Sequence, residues 1–220
     1  MTRAVIFDLD GVILDTEKLY MRFWLEAAHF YGYSMKPEHV LGIRSLATKF
    51  AAEKLKHEVS PDFDIELVKN KRIELMAEFV EKHGVETKPG AYEVLSFLHE
   101  SNIPCALATA TPFERASSML KSVNLFHFFD EIACAYMVKN GKPEPDVYIY
   151  AAEKLGMKPC ECIAVEDSPN GILSAYRAGC KTIMVPDSTQ PDQEISKMLY
   201  QKCDSLLDLK EFLKCELIIT

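Results

Sequence analysis

Ala4-Val5-Ile6-Phe7-Asp8-Leu9-Asp10-Gly11-Val12-Ile13-Leu14-Asp15-Thr16 is the stretch that decides the fold. Four apolar residues run without alternation into two aspartates and a glycine. A continuous run of this length suits a strand buried on both faces, as in a parallel sheet. Three later runs have the same form. Residues 103–108 end at Thr109, Cys162-Ile163-Ala164-Val165 ends at Glu166-Asp167, and Thr182-Ile183-Met184-Val185 ends at Pro186. Helical patterns separate them. Ala91, Val94, Leu95 and Leu98 recur at helical spacing after the Pro89-Gly90 turn, and residues 114–123 and 147–155 read the same way. Ser168-Pro169 caps and opens a further helix that stops at Gly179. Strands alternating with helices predict right-handed crossovers and a doubly wound α/β sheet.

One interval breaks this rhythm. Residues 16–86 carry only helical pattern, with Trp24, Ala27, Ala28 and Tyr31 on one face, Ala47, Phe50 and Lys54 in a second candidate helix, and residues 65–83 as a third. That is too long for one crossover helix, so the reading is an all-helical cap inserted between the first two strands. The expected division is a core of residues 1–15 and 87–220 and a cap of residues 16–86, with turn residues at Asp15-Thr16 and Lys88-Pro89-Gly90 as hinges. After Asp204 the tail predicts a last helix over 206–214.

Composition narrows the function classes. With 48% hydrophobic residues the chain can bury a sizeable core, and its net charge of −8 repels bare nucleic acid and anionic lipid. No apolar run is long enough to span a bilayer, so neither a membrane nor a nucleic-acid partner is expected. The seven cysteines are odd in number and irregular in spacing, which predicts reduced thiols in a cytoplasmic protein. The histidines show no metal-ligand spacing and read as surface or packing residues; Tyr148 and Tyr150, with Phe126, Phe128 and Phe129, read as packing.

In open α/β sheets, ligands bind outside the carboxyl ends of the strands. Asp8 and Asp10, Thr109, Lys142, and Glu166 with Asp167 all fall at such ends. Asp8 and Asp10 repel one another unless a cation or hydrogen bonds hold them, and their hard oxygens suit Mg²⁺. Gly11 permits a sharp turn that brings backbone N–H groups toward an anion. Thr109-Ala110-Thr111-Pro112 sets a hydroxyl before a helix N-terminus, a seat for phosphate. Lys142 is flanked by Gly141 and Pro143, which aim its ammonium. Glu166 and Asp167 supply more metal oxygens. Each motif alone is equally an ordinary turn or helix cap; their convergence at one edge of the sheet points to phosphoryl transfer.

Phe-Asp-Leu-Asp-Gly-Val-Ile-Leu-Asp-Thr at 7–16, Ala-Leu-Ala-Thr at 106–109, Gly-Lys-Pro-Glu-Pro-Asp at 141–146 and Val-Glu-Asp-Ser-Pro-Asn-Gly at 165–171 together resemble the haloacid dehalogenase superfamily. Within it they resemble the β-phosphoglucomutase-like phosphatases, and the likeness covers nearly the whole chain. It implies a Rossmann-like core under a helical cap, with a small phosphorylated metabolite, sugar phosphates first, as substrate. It also implies that Asp8 attacks phosphorus to give an aspartyl phosphate, and that Asp10 protonates the leaving alcohol and then activates water. Mg²⁺ is then held by Asp8, the Asp10 carbonyl and Asp167, with Glu166 accessory, and Thr109, Ala110 and Lys142 cradle the phosphoryl group. Asp10 favours phosphoryl transfer over dehalogenation, because halide departure needs no acid.

Two alternatives accompany this reading. A hexose phosphate mutase of the β-phosphoglucomutase type uses the same core. However, Tyr20 stands where the mutase has a histidine, and Gly42-Ile43-Arg44-Ser45 exchanges the order of the mutase's Gly-x-Ser-Arg. Thr16, Gly42 and Arg44 are the candidate substrate residues at the cap, Arg44 as a grip for a distal anionic group, while Lys69 and Lys71 compete for the mutase's cap lysine. The other alternative is a catalytically idle binding protein.

Overall fold

The computed structural model describes residues 2–218. Its centre is a six-stranded, all-parallel sheet in the order β3-β2-β1-β4-β5-β6, formed by Ala4–Phe7 (β1), Cys105–Thr109 (β2), Glu131–Cys134 (β3), Cys162–Glu166 (β4), Lys181–Met184 (β5) and Gln201–Lys202 (β6). The four strands read from apolar runs are present, each shifted by no more than two residues. β3 and β6 carry no such run. They are the two edge strands, and both residues of β6 are exposed.

Alternation along the strands builds two separate cores, as successive side chains point to opposite faces. Val5, Phe7, Cys105, Leu107, Ile163 and Val165 pack on one face against the helices Ala91–Glu100 (α5), Phe113–Ser122 (α6) and Leu206–Ile218 (α10). Ala4, Ile6, Ala106, Ala108, Cys162 and Ala164 face the helices Asp146–Lys154 (α7) and Pro169–Ala178 (α8). Small residues dominate this second face, so α7 and α8 lie close to the sheet.

Four helices intervene between β1 and β2: Glu17–Phe30 (α1), Pro37–Gly42 (α2), Thr48–Glu58 (α3) and Ile65–His83 (α4). They enclose their own core of Trp24, Ala27, Ala28, Val40, Leu55 and Val68, among others. The second expected helix is present as α3, with Ala47 as its N-cap and Ala51 and Leu55 as its buried residues. Tyr31 likewise caps α1 and is exposed rather than part of its packed face. The short α2 was not anticipated. The two connecting strands pair with each other, Leu14 opposite Thr87, with Asp15 N–H donating to the Glu86 carbonyl at 2.9 Å and Lys88 N–H to the Ile13 carbonyl at 2.9 Å. The insert is therefore tied to the core through a two-strand neck. A four-residue helix, Gln193–Ser196 (α9), precedes β6. All seven cysteines are unpaired, and no helix among the described residues is long and apolar enough to cross a membrane.

Candidate active site

β1 lies between β2 and β4, so the chain leaves it in opposite directions and a crevice opens at its carboxyl end. Asp8 follows β1 directly, and its N–H donates to the Val165 carbonyl of β4 at 2.9 Å. That bond fixes the Asp8 backbone beside Glu166 and Asp167. Carboxylate oxygens of Asp8, Glu166 and Asp167 lie within 4.8 Å of one another, and all three residues are buried. Three like charges this close, out of water, require compensation. Lys142 supplies part of it, with Nζ 2.6 Å from Asp8 Oδ1 and 2.5 Å from Glu166 Oε1. Burial depresses the ammonium, but attraction to the two acids outweighs that and holds Lys142 charged. For Asp8, burial raises the pKa well above the usual carboxylate range; Lys142 opposes this, and the neighbouring acids add to it.

Glu166 is fully occupied. Oε1 also accepts from the Tyr148 hydroxyl at 2.7 Å, and Oε2 accepts from Ser168 Oγ at 3.2 Å and the Asp167 N–H at 3.3 Å. A Cβ on Gly171 would run into this carboxylate, so the first turn of α8 approaches as closely as glycine allows. Tyr148 therefore has a polar task that the packing assignment missed. Burial, followed by the Glu166 charge, pushes its phenol well up, so it stays a donor.

The Asp10 carboxylate stands outside that acidic cluster. Its Oδ1 accepts from Thr16 Oγ1 at 2.6 Å and its Oδ2 from Thr111 Oγ1 at 2.7 Å. Thr16 thus orients Asp10 from the start of α1. Thr109 ends β2 fully buried, with its Oγ1 accepting the Thr111 N–H at 3.0 Å; Ala110, between them, is exposed and lines the cavity.

Arg44 lines the cavity, but its guanidinium is turned to the acidic groups. Its guanidinium pairs with Asp167 and sits 3.0 Å from Glu17, and Nη1 donates to Thr189 Oγ1 at 2.7 Å. Burial would weaken its charge, but Asp167 and Glu17 more than restore it. Burial raises the Glu17 carboxyl to about 8 against the pull of Arg44. Asp167 is also raised, by burial first and with Arg44 opposing. Gly42 is not among the residues lining the cavity; a Cβ there would meet Lys54 Cε at 2.6 Å. The loop carrying Arg44 is docked on the core, Ala47 N–H donating to the Lys142 carbonyl at 2.8 Å and Asn170 Nδ2 to the Arg44 carbonyl at 2.9 Å.

Between insert and core lies a cavity of about 500 Å³ with Asp8 and Asp10 on its wall. Its upper walls bring in Tyr20 and Lys69, which the comparison with the mutase pattern had singled out, Trp24, which read as helix packing, and Arg72 and Arg115, which no motif marked. Lys69 donates to Thr48 Oγ1 at 3.0 Å, whereas Lys71 is paired with Glu74. The only sequence signal of the two arginines is an unusually polar residue on an otherwise apolar helix face, as Arg72 is on α4.

Oxygen donors alone, close-set and buried, suit a hard divalent cation. Asp167 Oδ1 is buried and has no hydrogen-bond partner, so one ligand position is chemically unspent. The donor set fits such a cation.

The model of one family, the haloacid dehalogenase-like hydrolases, matches residues 5–185. Hexitol phosphatase A of Escherichia coli is 34% identical over 203 residues, covering 90% of each chain. A phosphorylated carbohydrates phosphatase of Thermotoga maritima is 33% identical over 180 residues, covering 82% of this chain and 83% of the relative. Among solved structures, a β-phosphoglucomutase of Clostridium difficile superposes with a TM-score of 0.80 at 26% identity, covering 100% of both chains.

Proposed function

Because the chain belongs to the haloacid dehalogenase-like hydrolases, we propose that it is a Mg²⁺-dependent phosphatase of small phosphorylated metabolites, sugar phosphates first, working through a phosphate ester of Asp8. The observation that carries this reading is the division of labour between two aspartates. Asp8 is paired with Lys142 at 2.6 Å, while Asp10 is turned away into two hydroxyl hydrogen bonds. One carboxylate is presented as a nucleophile and the other as a proton carrier, set by their surroundings.

The chemistry follows from those positions. An Asp8 oxygen attacks phosphorus and the bond to the leaving alcohol breaks, Asp10 giving its proton to that oxygen. A water molecule then attacks the same phosphorus and passes a proton to Asp10, and the bond to Asp8 breaks, restoring the carboxylate and releasing phosphate. Lys142, charged and anchored by Glu166, offsets negative charge on the transferring oxygens. Thr109 and the Ala110 N–H complete the cradle. Asp8 and Asp167, with the Asp10 main-chain carbonyl, would hold Mg²⁺, which neutralises phosphoryl oxygens when bound. Glu166 acts by fixing Lys142, since its own oxygens are taken. Thr16 positions Asp10 rather than meeting substrate. The residue limits of core and cap, 1–15 with 87–220 and 16–86, are proposed on the same grounds; the Leu14–Thr87 pairing supports a neck there.

The test is phosphate release from p-nitrophenyl phosphate and from hexose phosphates, with Mg²⁺ and with chelator. Wild type should turn over only with the metal. Asp8→Asn should be inactive, and acid-quenched wild type should carry phosphate on the peptide containing Asp8. Folded wild type that releases no phosphate from any ester would overturn the reading in favour of an idle binding protein. Isomerisation of β-glucose 1-phosphate outpacing phosphate release would favour the mutase.

A further inference from the structure

Arg44 belongs to the insert, yet its side chain is bound to the core. It stands in the loop of residues 43–47 between α2 and α3 and is 6% exposed. Its Nη2 donates twice to Asp167, to Oδ2 and to the main-chain carbonyl at 3.4 Å. Nη1 donates to Thr189 Oγ1 at 2.7 Å, in the loop after β5, and Glu17 Oε2 lies 3.0 Å from Nε. A planar fork held on all sides keeps one orientation, and so does the carboxylate it grips. Gly11 also presses on that carboxylate, so closely that an added Cβ would overlap Oδ2. Oδ1 is left buried and without a hydrogen-bond partner, in a residue whose carboxylate lies within 4.8 Å of those of Asp8 and Glu166. One oxygen of Asp167 is thus fixed by the insert, and the other is offered to the acidic cluster.

The loop is shaped for this contact. Ser45, next to Arg44, holds φ +56°, in the left-handed region that costs a non-glycine residue about 1–2 kcal/mol. Such a conformation persists where the contacts around it over-determine it. They lie on both sides of Ser45: Asn170 Nδ2 donates to the Arg44 carbonyl at 2.9 Å, and the Ala47 N–H to the Lys142 carbonyl at 2.8 Å. We propose that Arg44 is a positioning residue for the metal site. It holds Asp167 with Oδ1 toward the cation, so Mg²⁺ binding and docking of the 43–47 loop favour one another. The guanidinium charge by itself repels a cation, but Glu17 beside it offsets that charge. Orientation then decides the sign, since partners that orient a metal ligand are worth about 10–100-fold in metal affinity. The proposal rests on the phosphatase reading, in which Asp167 is a metal ligand, and adds that the insert helps to build the metal site.

Two variants separate orientation from charge. Arg44→Lys keeps the charge and loses the fork. Thr189→Val keeps every charge and removes one anchor of the guanidinium, at a half-buried loop position that folding tolerates. In calorimetric Mg²⁺ titrations of the full chain, Kd should rise about tenfold or more in Arg44→Lys and by a smaller factor in Thr189→Val. By reciprocity, Mg²⁺ should slow hydrogen exchange of the Ala47 amide in wild type, and less so in Arg44→Lys. At saturating Mg²⁺, kcat of Thr189→Val on p-nitrophenyl phosphate should return to wild type, because the loss is in affinity. A merely structural arginine would lower the melting temperature in chelator and leave Kd unmoved. An Mg²⁺ Kd that Arg44→Lys leaves unchanged or lowers would overturn the proposal, as would Ala47 exchange that Mg²⁺ does not slow. If Arg44→Lys fails to fold, Thr189→Val carries the test, and an unchanged Kd there is the overturning result. Failure of the phosphatase reading is seen separately: wild type that binds Mg²⁺ and turns over no p-nitrophenyl phosphate sinks that reading and leaves the affinity comparison intact.

Discussion

Gly11→Ala tests the backbone on which the acidic site stands. Gly11 adopts φ +84°, and a Cβ there would lie 2.8 Å from both Asp167 Cγ and Glu17 Cγ, with Asp167 Oδ2 nearer still. Ordinary carbon contacts need about 3.5 Å, so each side chain must retreat by roughly 0.7 Å. Neither is free to do so, because Arg44 holds both. Left-handed backbone costs a non-glycine residue about 1–2 kcal/mol, and forced overpacking adds about 1–3 kcal/mol. The sum of about 2–5 kcal/mol corresponds to a fall of about 4–20 °C in Tm for a chain of this size. Gly32→Ala separates the two contributions. Gly32 has φ +82° with nothing within 4 Å of the added Cβ, so only the backbone cost of about 1–2 kcal/mol applies. Thermal unfolding of both variants, with kcat/KM on p-nitrophenyl phosphate, provides the comparison. Gly11→Ala should melt below Gly32→Ala and lose at least about tenfold in kcat/KM, since Asp167 moves; Gly32→Ala should keep its activity. If Gly11→Ala melts no lower than Gly32→Ala and retains wild-type turnover, the close packing of Gly11 on Asp167 is not what holds the site.

Tyr148→Phe removes one donor from a buried charged acceptor and should destabilise by about 1.5–3 kcal/mol in urea unfolding, while lowering turnover because Glu166 anchors Lys142 less firmly. Thr111→Val frees Asp10 Oδ2 and should slow alkyl phosphates about tenfold or more, with a smaller effect on the first step for p-nitrophenyl phosphate, whose leaving group needs no proton. Equal effects on both ester classes in single-turnover kinetics would count against Asp10 as the acid. Brief alkylation at pH 8 with mass mapping should label the exposed Cys160 and Cys215 well before the buried thiols. Burial pushes Cys134 up to about 11 and Cys162 and Cys180 up to about 12, so their thiolate fraction at the pH of the assay is negligible.

The sequence by itself determined four of the six strands and most residues of the candidate site. β1, β2, β4 and β5 are buried along nearly all of their length, so each carries an apolar run, and that run is visible without coordinates. Asp8, Thr109 and Glu166-Asp167 were legible because a strand's end is marked by the change from apolar to polar. Edge strands β3 and β6 were not, since one side of each is free of a partner and their identity comes from pairing. Only the tertiary structure decided how the polar groups are shared. Thr16 belongs to Asp10, Arg44 to Asp167 and Glu17, and Tyr148 to Glu166. Arg72 and Arg115 are 43 residues apart on different helices, and only the fold brings them to one cavity wall beside Tyr20. Periodicity reports which side of an element is buried, because burial follows from local geometry. Which charge is satisfied depends on what distant segments bring to it, and a linear pattern holds no record of that.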